Sequence, residues 1–304
     1  APTRADLQDL YDRARSQDDA QAWRAWGDAI AVRGGPGRHV EAIRAYRRAV
    51  EFEPDDAMTH FRLGVAHRKR HDSGARRPQD FRRAVEHWTR ALELDPNHYI
   101  WRRRIQQYGP RLDKPYPFYD WVHDAREEIR ARGEEPVPLT VEPRGSEFAE
   151  PAESFAPSEE AVREPDPEGR IYRDPGTLIG VETVAVPARV SPGEVARFHV
   201  IFEPNEEMKA HWNNEVDDLV FWVEPPEGWT VERRLHTYPV PRDRTLSTET
   251  RTVEVEVRAP EDAADLSAEI PAYALYYVCE DVNGICMYRR QDVELEMAVR
   301  DGEG

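Results

Sequence analysis

Ala272-Tyr-Ala-Leu-Tyr-Tyr-Val-Cys279-Glu-Asp-Val-Asn-Gly-Ile-Cys286-Met-Tyr-Arg-Arg290 decides how the far end of this 304-residue chain folds, and it contains both of the chain's cysteines. Aromatic and β-branched residues crowd its two arms, and Asn283-Gly284 is a dipeptide that readily takes the left-handed turn conformation. The stretch therefore reads as a β-hairpin. Two registers are open. With Asn283-Gly284 as the central turn residues, Asp281 opposes Cys286 and the sulfurs are diagonal neighbours, roughly 7–8 Å apart. With a loop of residues 280–285 the cysteines face each other directly, which suits a disulfide better.

Working outward, the run from Thr177 onward carries the texture of strands. Residues 178–190, 194–202, 218–223, 230–236, 251–257, 269–278 and 285–299 are β-branched and aromatic, and turn-forming Pro, Gly, Asn and Asp separate them. Seven short strands at this spacing predict an antiparallel sandwich of immunoglobulin type. Residues 252–258 alternate cleanly, so one of their faces is expected to be wet.

Toward the N-terminus the period changes to helical. Leu7, Leu10, Tyr11 and Ala14 share one face. An internal repeat follows: Trp23-Arg-Ala-Trp26-Gly27 with Ala42, Tyr46, Ala49 and Pro54, then His60-Phe-Arg-Leu63-Gly64 with Ala84, Trp88, Ala91 and Pro96. Small residues let one helix lie against the next, the aromatic fills the groove between them, and the proline ends the second helix. This pattern resembles the tetratricopeptide repeat. Both inter-helix turns are longer than that family's, and the second, around residues 68–78, is strongly basic; it reads as a solvated loop or a contact for an acidic partner. Residues 99–108 and 121–132 complete the array as a degenerate third pair. Trp101, Tyr116, Phe118 and Trp121 are candidate residues of a peptide-binding groove, although packing is the commoner use of such aromatics.

The expected organisation is a multidomain α + β chain. Residues 1–132 form a helical repeat domain, 133–176 an acidic, proline-rich linker, and 177–304 the sandwich. A stretch unable to build its own core is ordered only along something else: the helical domain, the sandwich or a partner chain.

Charge follows the same division. Residues 1–130 carry 25 basic and 21 acidic side chains, a net +4; the remaining 174 carry 17 and 38, a net −21, which together make the chain's −17. An acidic second half argues against nucleic acid as partner. No apolar run is long enough to span a membrane. Two nearby cysteines fit an extracytoplasmic setting, periplasmic or secreted, and a first residue Ala1 in place of Met is expected after signal-peptide removal or equally at a cut within a longer chain.

The sandwich with its late cysteine hairpin resembles the N-terminal domain of the bacterial thiol:disulfide interchange protein DsbD. That resemblance covers about residues 177–299 and rests on Cys279 and Cys286, with Asp281 and Gly284 between them. It implies a periplasmic domain whose cysteine pair exchanges electrons with a thioredoxin-like protein. The spacing is one residue longer than that family's, and nothing within these 304 residues resembles its membrane or thioredoxin-like domains. Three roles stand for Cys279 and Cys286: a structural disulfide, a redox pair, or Cu(I) ligands with Met287, Met208 and His211. His211 and Trp212, in a polar aromatic run beside a strand, are candidates for ligand contact or for a capped turn. No zinc spacing, nucleotide loop or hydrolase motif occurs, so no metal or cofactor is assigned and a stand-alone enzyme is not expected. The leading expectation is a scaffold that docks a protein partner through its helical repeats.

Overall fold

The structure is a computed structural model that describes residues 3–33, 37–111, 121–136, 154–158, 162–263, 267–281 and 284–300. Tyr116 and Phe118 lie outside the described residues, as does Asn283 of the hairpin. The chain divides into two compact units, Ala1–Tyr108 with Asp113–Ala152, and Gly109–Leu112 with Glu153–Gly304. The first is helical and the second is built from strands.

The described part of the helical unit runs α1 (Arg4–Gln17), α2 (Ala20–Arg33), α3 (Arg38–Phe52), α4 (Ala57–His71), α5 (Asp80–Leu94), α6 (Tyr99–Gln106) and α7 (Trp121–Ala131). Thr3 caps α1 in a reciprocal box with Asp6, and Asp56 caps α4 by accepting the Met58 N–H. Helices α3 and α5 stop two residues before Pro54 and Pro96, because the residue before a proline avoids the helical conformation. Neighbours in sequence are neighbours in space, with α2 against α3 and α4 against α5 in closest contact. The repeated small and aromatic residues explain why. A β-carbon on Gly27 would sit 2.6 Å from the Tyr46 ring, and one on Gly64 would sit 2.6 Å from the Trp88 indole. Each glycine lets an aromatic lie flat against the preceding helix, and Ala42, Ala49, Ala84 and Ala91 are buried around it.

The basic segment between α4 and α5 differs from the expected solvated loop. Helix α4 continues to His71, which turns Arg70 inward. The buried Asp80 carboxylate accepts from Arg70 Nε at 2.9 Å, Arg70 Nη2 at 2.5 Å and the Arg77 backbone N–H at 2.9 Å. It also faces His67 Nδ1 at 3.0 Å. Four contacts from three residues around one carboxylate offset its desolvation. His60 and His67 are buried in this layer, as helix packing predicts.

In the other unit eleven described strands form two sheets. The strands are β1 (Ile179–Val186), β2 (Arg189–Val190), β3 (Val195–Pro204), β4 (His211–Asn213), β5 (Leu219–Val223), β6 (Thr230–Val231), β7 (Leu235–Tyr238), β8 (Leu246–Ser247), β9 (Arg251–Arg258), β10 (Ser267–Cys279) and β11 (Cys286–Val299). One sheet has the order β1-β3-β9-β6. The other has β2-β11-β10-β4-β8, with β5 also on β10 and β7 on β5. All pairs are antiparallel except β11 with β2. Alternate residues of both sheets, among them Phe198, Phe202 and Val255 on one side and Trp212, Phe221, Tyr276 and Leu295 on the other, meet in one core.

Two expected strands divide. Residues 178–190 break around Pro187, and 230–236 splits into β6 and β7, which join different sheets. The outward face of β9 is not uniformly wet either. Glu256 is buried, held by the Arg111 backbone N–H at 2.6 Å and by Arg197, whose Nε lies 3.4 Å away. Part of the proline-rich stretch lies along this unit. Asp174 accepts from the Thr177 N–H and the Tyr276 hydroxyl, Asp166 binds Arg290, and Val162 and Ile171 pack on Trp222, Tyr273 and Leu275.

Candidate functional site

A groove of about 970 Å³ runs over α1, α2 and α3. Helix α3 places it. The Ala42/Tyr46/Ala49 side of α3 is spent on the core, so Glu41, Arg44, Arg47, Arg48 and Glu51, at three- and four-residue spacing, share the opposite side. Tyr11, Trp23 and Trp26 form the aromatic wall and are half-buried. The Tyr11 and Trp26 rings pack at 5.2 Å, and Trp23 Nε1 donates to Asp18 at 2.8 Å, which fixes their orientation.

The arginines differ in what they are doing. Arg48 is held by Asp18 at 2.9 Å and Glu51 at 2.8 Å, and its guanidinium covers the Phe52 ring. Arg38 is paired with Glu41 at 2.8 Å. Arg44 and Arg47 are exposed and, among the described residues, have no carboxylate partner. A groove with half-buried aromatics and two uncommitted guanidinium groups one turn apart can bind carboxylates in bidentate fashion and stack planar groups.

At the hairpin the second register holds. Cys279 and Cys286 are directly opposed, their α-carbons 3.9 Å apart, and they are joined in a disulfide. The Glu280 N–H donates to the Ile285 carbonyl at 3.3 Å, and Asp281 takes the left-handed conformation in the turn. Cys279 is buried whereas Cys286 and Ile285 are exposed. The nearby arginines are engaged elsewhere: Arg290 by Asp166 and Asp292, Arg289 by Met287 Sδ at 2.7 Å. Because the sulfurs are bonded to each other, no thiolate pair is present to take Cu(I). Among the described residues no group of three or more His, Cys, Asp or Glu side chains converges as a metal site.

Several residues singled out in sequence serve packing. Trp101 is buried and stacks with His98 at 3.8 Å and Phe61 at 4.8 Å. His211 and Trp212 lie in strand β4 rather than a loop. His211 pairs with Cys279 in register, and Nδ1 contacts the Lys209 carbonyl at 3.1 Å. Trp212 is fully buried beneath the Arg251 guanidinium and donates to the Glu249 carbonyl. Trp121 opens α7. The groove itself was overlooked in sequence because Trp23 and Trp26 read as repeat-packing residues. The signal that finds it is the Arg44/Arg47 spacing on the side of α3 opposite Tyr46.

The sequence matches no family model, and no curated protein matches it. Among solved structures it is similar to MamA, at 16% identity over 41% of this chain and 61% of that one, with a TM-score of 0.26. It is also similar to the sporulation control protein Spo0M from Bacillus subtilis, at 12% identity over 40% of this chain and 49% of that one, with a TM-score of 0.20. A third is the ASH/PapD-like domain of human CEP192, at 9% identity over 48% of this chain and 97% of that one, with a TM-score of 0.19. The chain thus spans less than two thirds of the length of the first two, and at these scores the likenesses carry no argument.

Proposed function

We propose that this protein is an interaction scaffold whose helical unit docks an acidic segment of a protein partner in the α1–α3 groove. The observation that carries this reading is the pair Arg44 and Arg47, uncommitted beside Tyr11, Trp23 and Trp26. The helices are of tetratricopeptide type, supported by the Gly27–Tyr46 and Gly64–Trp88 contacts, and such arrays bind peptides and protein surfaces along stacked helices. The domain bounds are 1–132 and 177–304, joined by 133–176, and the second domain is an immunoglobulin-like sandwich with a structural disulfide. The disulfide supports an extracytoplasmic setting, periplasmic or secreted. Among the described residues no helix is long and apolar enough to cross a membrane.

The test is fluorescence anisotropy with a labelled glutamate-rich peptide at low salt. Arg44→Glu/Arg47→Glu is expected to weaken binding by at least about tenfold, since two charge-assisted contacts become repulsive. Equal binding by wild type and variant, or none by the wild type, would sink the reading.

A second reading, thiol exchange with a thioredoxin-like protein, is favoured by one observation: the Cys286 sulfur belongs to an exposed residue while Cys279 is shielded. Exchange requires an attackable sulfur. As a structural element the disulfide contributes about 2.5 kcal/mol on the chain-entropy model, and its reduction potential is expected below about −300 mV. Equilibration against dithiol buffers decides: a more oxidising potential, with a trapped mixed disulfide at Cys286 in the Cys279→Ser variant, would establish exchange in place of structure.

A further inference from the structure

We propose that the acidic surface received by the arginine groove belongs to a second copy of this chain, along the carboxylates exposed on β10 and β11. The inference rests on the reading of the groove as a binding site and adds its occupant.

Strand β11 alternates, with Val293, Leu295 and Met297 buried and Asp292, Glu294 and Glu296 exposed. Across the ladder on β10, Glu269 is paired directly with Glu296 and Pro271 with Glu294. Like charges opposed across a strand pair are destabilising, with β-carbons only about 5 Å apart. Asp292 is relieved by Arg290 and Arg173. Among the described residues, Glu269, Glu294 and Glu296 have no basic partner. The fold therefore carries an uncompensated carboxylate ladder, and it stands at a margin of its sheet. Strand β2 reaches only Ala298 and Val299, so residues 291–297 of β11 pair in a described ladder on one side alone.

The groove carries the complementary defect. Arg44 and Arg47 lie one turn apart on α3, with β-carbons about 5–6 Å apart, and lack carboxylates. Two guanidinium groups at that spacing match the opposed Glu269/Glu296 pair, each pairing relieving a repulsion on one copy and an unpaired cation on the other. Charge over the two units agrees: the helical unit balances at 26 basic and 26 acidic side chains while the sheet unit carries 16 and 33, a net −17, so the acidic surface of one molecule meets less repulsion at the helical unit of another than at its sheet unit. Because ladder and groove are different surfaces, the contact is heterologous. Association continues head to tail unless a ring closes.

Sedimentation velocity on the full chain over a range of concentrations tests this. At low salt (about 50 mM) the mass is expected to rise with concentration, and at about 500 mM the rise is expected to vanish. Arg44→Glu/Arg47→Glu and Glu294→Lys/Glu296→Lys are each expected to weaken self-association at least tenfold while keeping the wild-type circular dichroism. An equimolar mixture of the two is expected to associate again, because the first retains an intact ladder and the second an intact groove. A wild type that stays monomeric at low salt, variants that still self-associate, or a mixture that stays monomeric would each overturn the proposal. The labelled glutamate-rich peptide, run on the same sample, separates the two claims. Peptide binding by a monomeric wild type overturns the self-contact and leaves the groove reading standing, and loss of both overturns both.

Discussion

Asp80→Ala is expected to destabilise the helical unit by about 3–5 kcal/mol, among the largest effects of any single substitution in this chain. Asp80 is fully buried and its neighbour Arg70 nearly so. Burial pushes the Asp80 carboxyl up, but the bonds from His67, Arg70 and the Arg77 N–H pull it further down, well below the ordinary carboxylate value. Removing the carboxylate leaves a guanidinium in the interior facing no charge, and that stranded cation, more than the lost hydrogen bonds, sets the cost. Asp80→Asn, which keeps the shape, is expected to fall between. Adding Arg70→Met to Asp80→Ala is expected to recover part of the loss, because no buried charge remains. Urea unfolding followed at 222 nm measures all three. A loss under about 1 kcal/mol for Asp80→Ala would show that Arg70 finds water or another partner and that the hub does not hold α4 to α5.

Lowering the pH from 7 to about 4 is expected to cost each unit up to about 3 kcal/mol through one histidine. In the helical unit, burial depresses His87 from 6.5 to about 4, helped by His60, His67, Arg47 and Arg83. His60 Nε2 contacts the Pro54 carbonyl at 2.9 Å and His60 Nδ1 faces His87 Nδ1 at 3.0 Å, so His87 packs against a second imidazole rather than against a carboxylate that would favour its charged form. In the sheet unit, burial likewise takes His236 to about 4, against the pull of Glu232. In both cases the unfolded chain takes up its proton near pH 6.5 while the folded protein resists until about 4. The stabilisation is therefore complete above pH 6.5 and is lost as pH falls through the window from 6.5 to 4. Unfolding at pH 7 and 4.5 checks this, with His87→Gln flattening the pH response of the helical unit and leaving the other unaffected. Equal stability at both pH values would sink the argument.

The helical packing was legible because its signal is local. Ala42, Tyr46 and Ala49, and their counterparts Ala84, Trp88 and Ala91, recur at helical spacing after Gly27 and Gly64. A small residue opposite a large one has few meanings in a helix pair. The hairpin was legible for a similar reason, through its aromatic arms. Its register was not, because both loop lengths satisfy the same residues, and the direct Cys279–Cys286 pairing belongs to the assembled ladder. Strands β4 and β8, three and two residues long, are too short to show any alternation. For that reason His211 and Trp212 read as a loop although β10 recruits them as a strand.

The sequence by itself determined the helical and extended halves of the chain, the glycine–aromatic contacts that join the helices, and the presence of a cysteine hairpin. The first and last depend on residues within about one element or hairpin of each other, and the glycine–aromatic contacts, though they join different helices, were legible because the same spacing occurs twice. Only the tertiary structure decided which charges are buried and which are left over. Glu256 lies in a strand whose alternation predicts a wet face, yet it is buried because Arg111, 145 residues away, donates to it. Arg70 sits in a basic run and is buried by Asp80, whereas Arg44 and Arg47, of the same residue type, remain exposed in the groove. Desolvating a charge is tolerated only where a partner arrives in the right geometry, and where that partner lies along the chain is something no local pattern encodes.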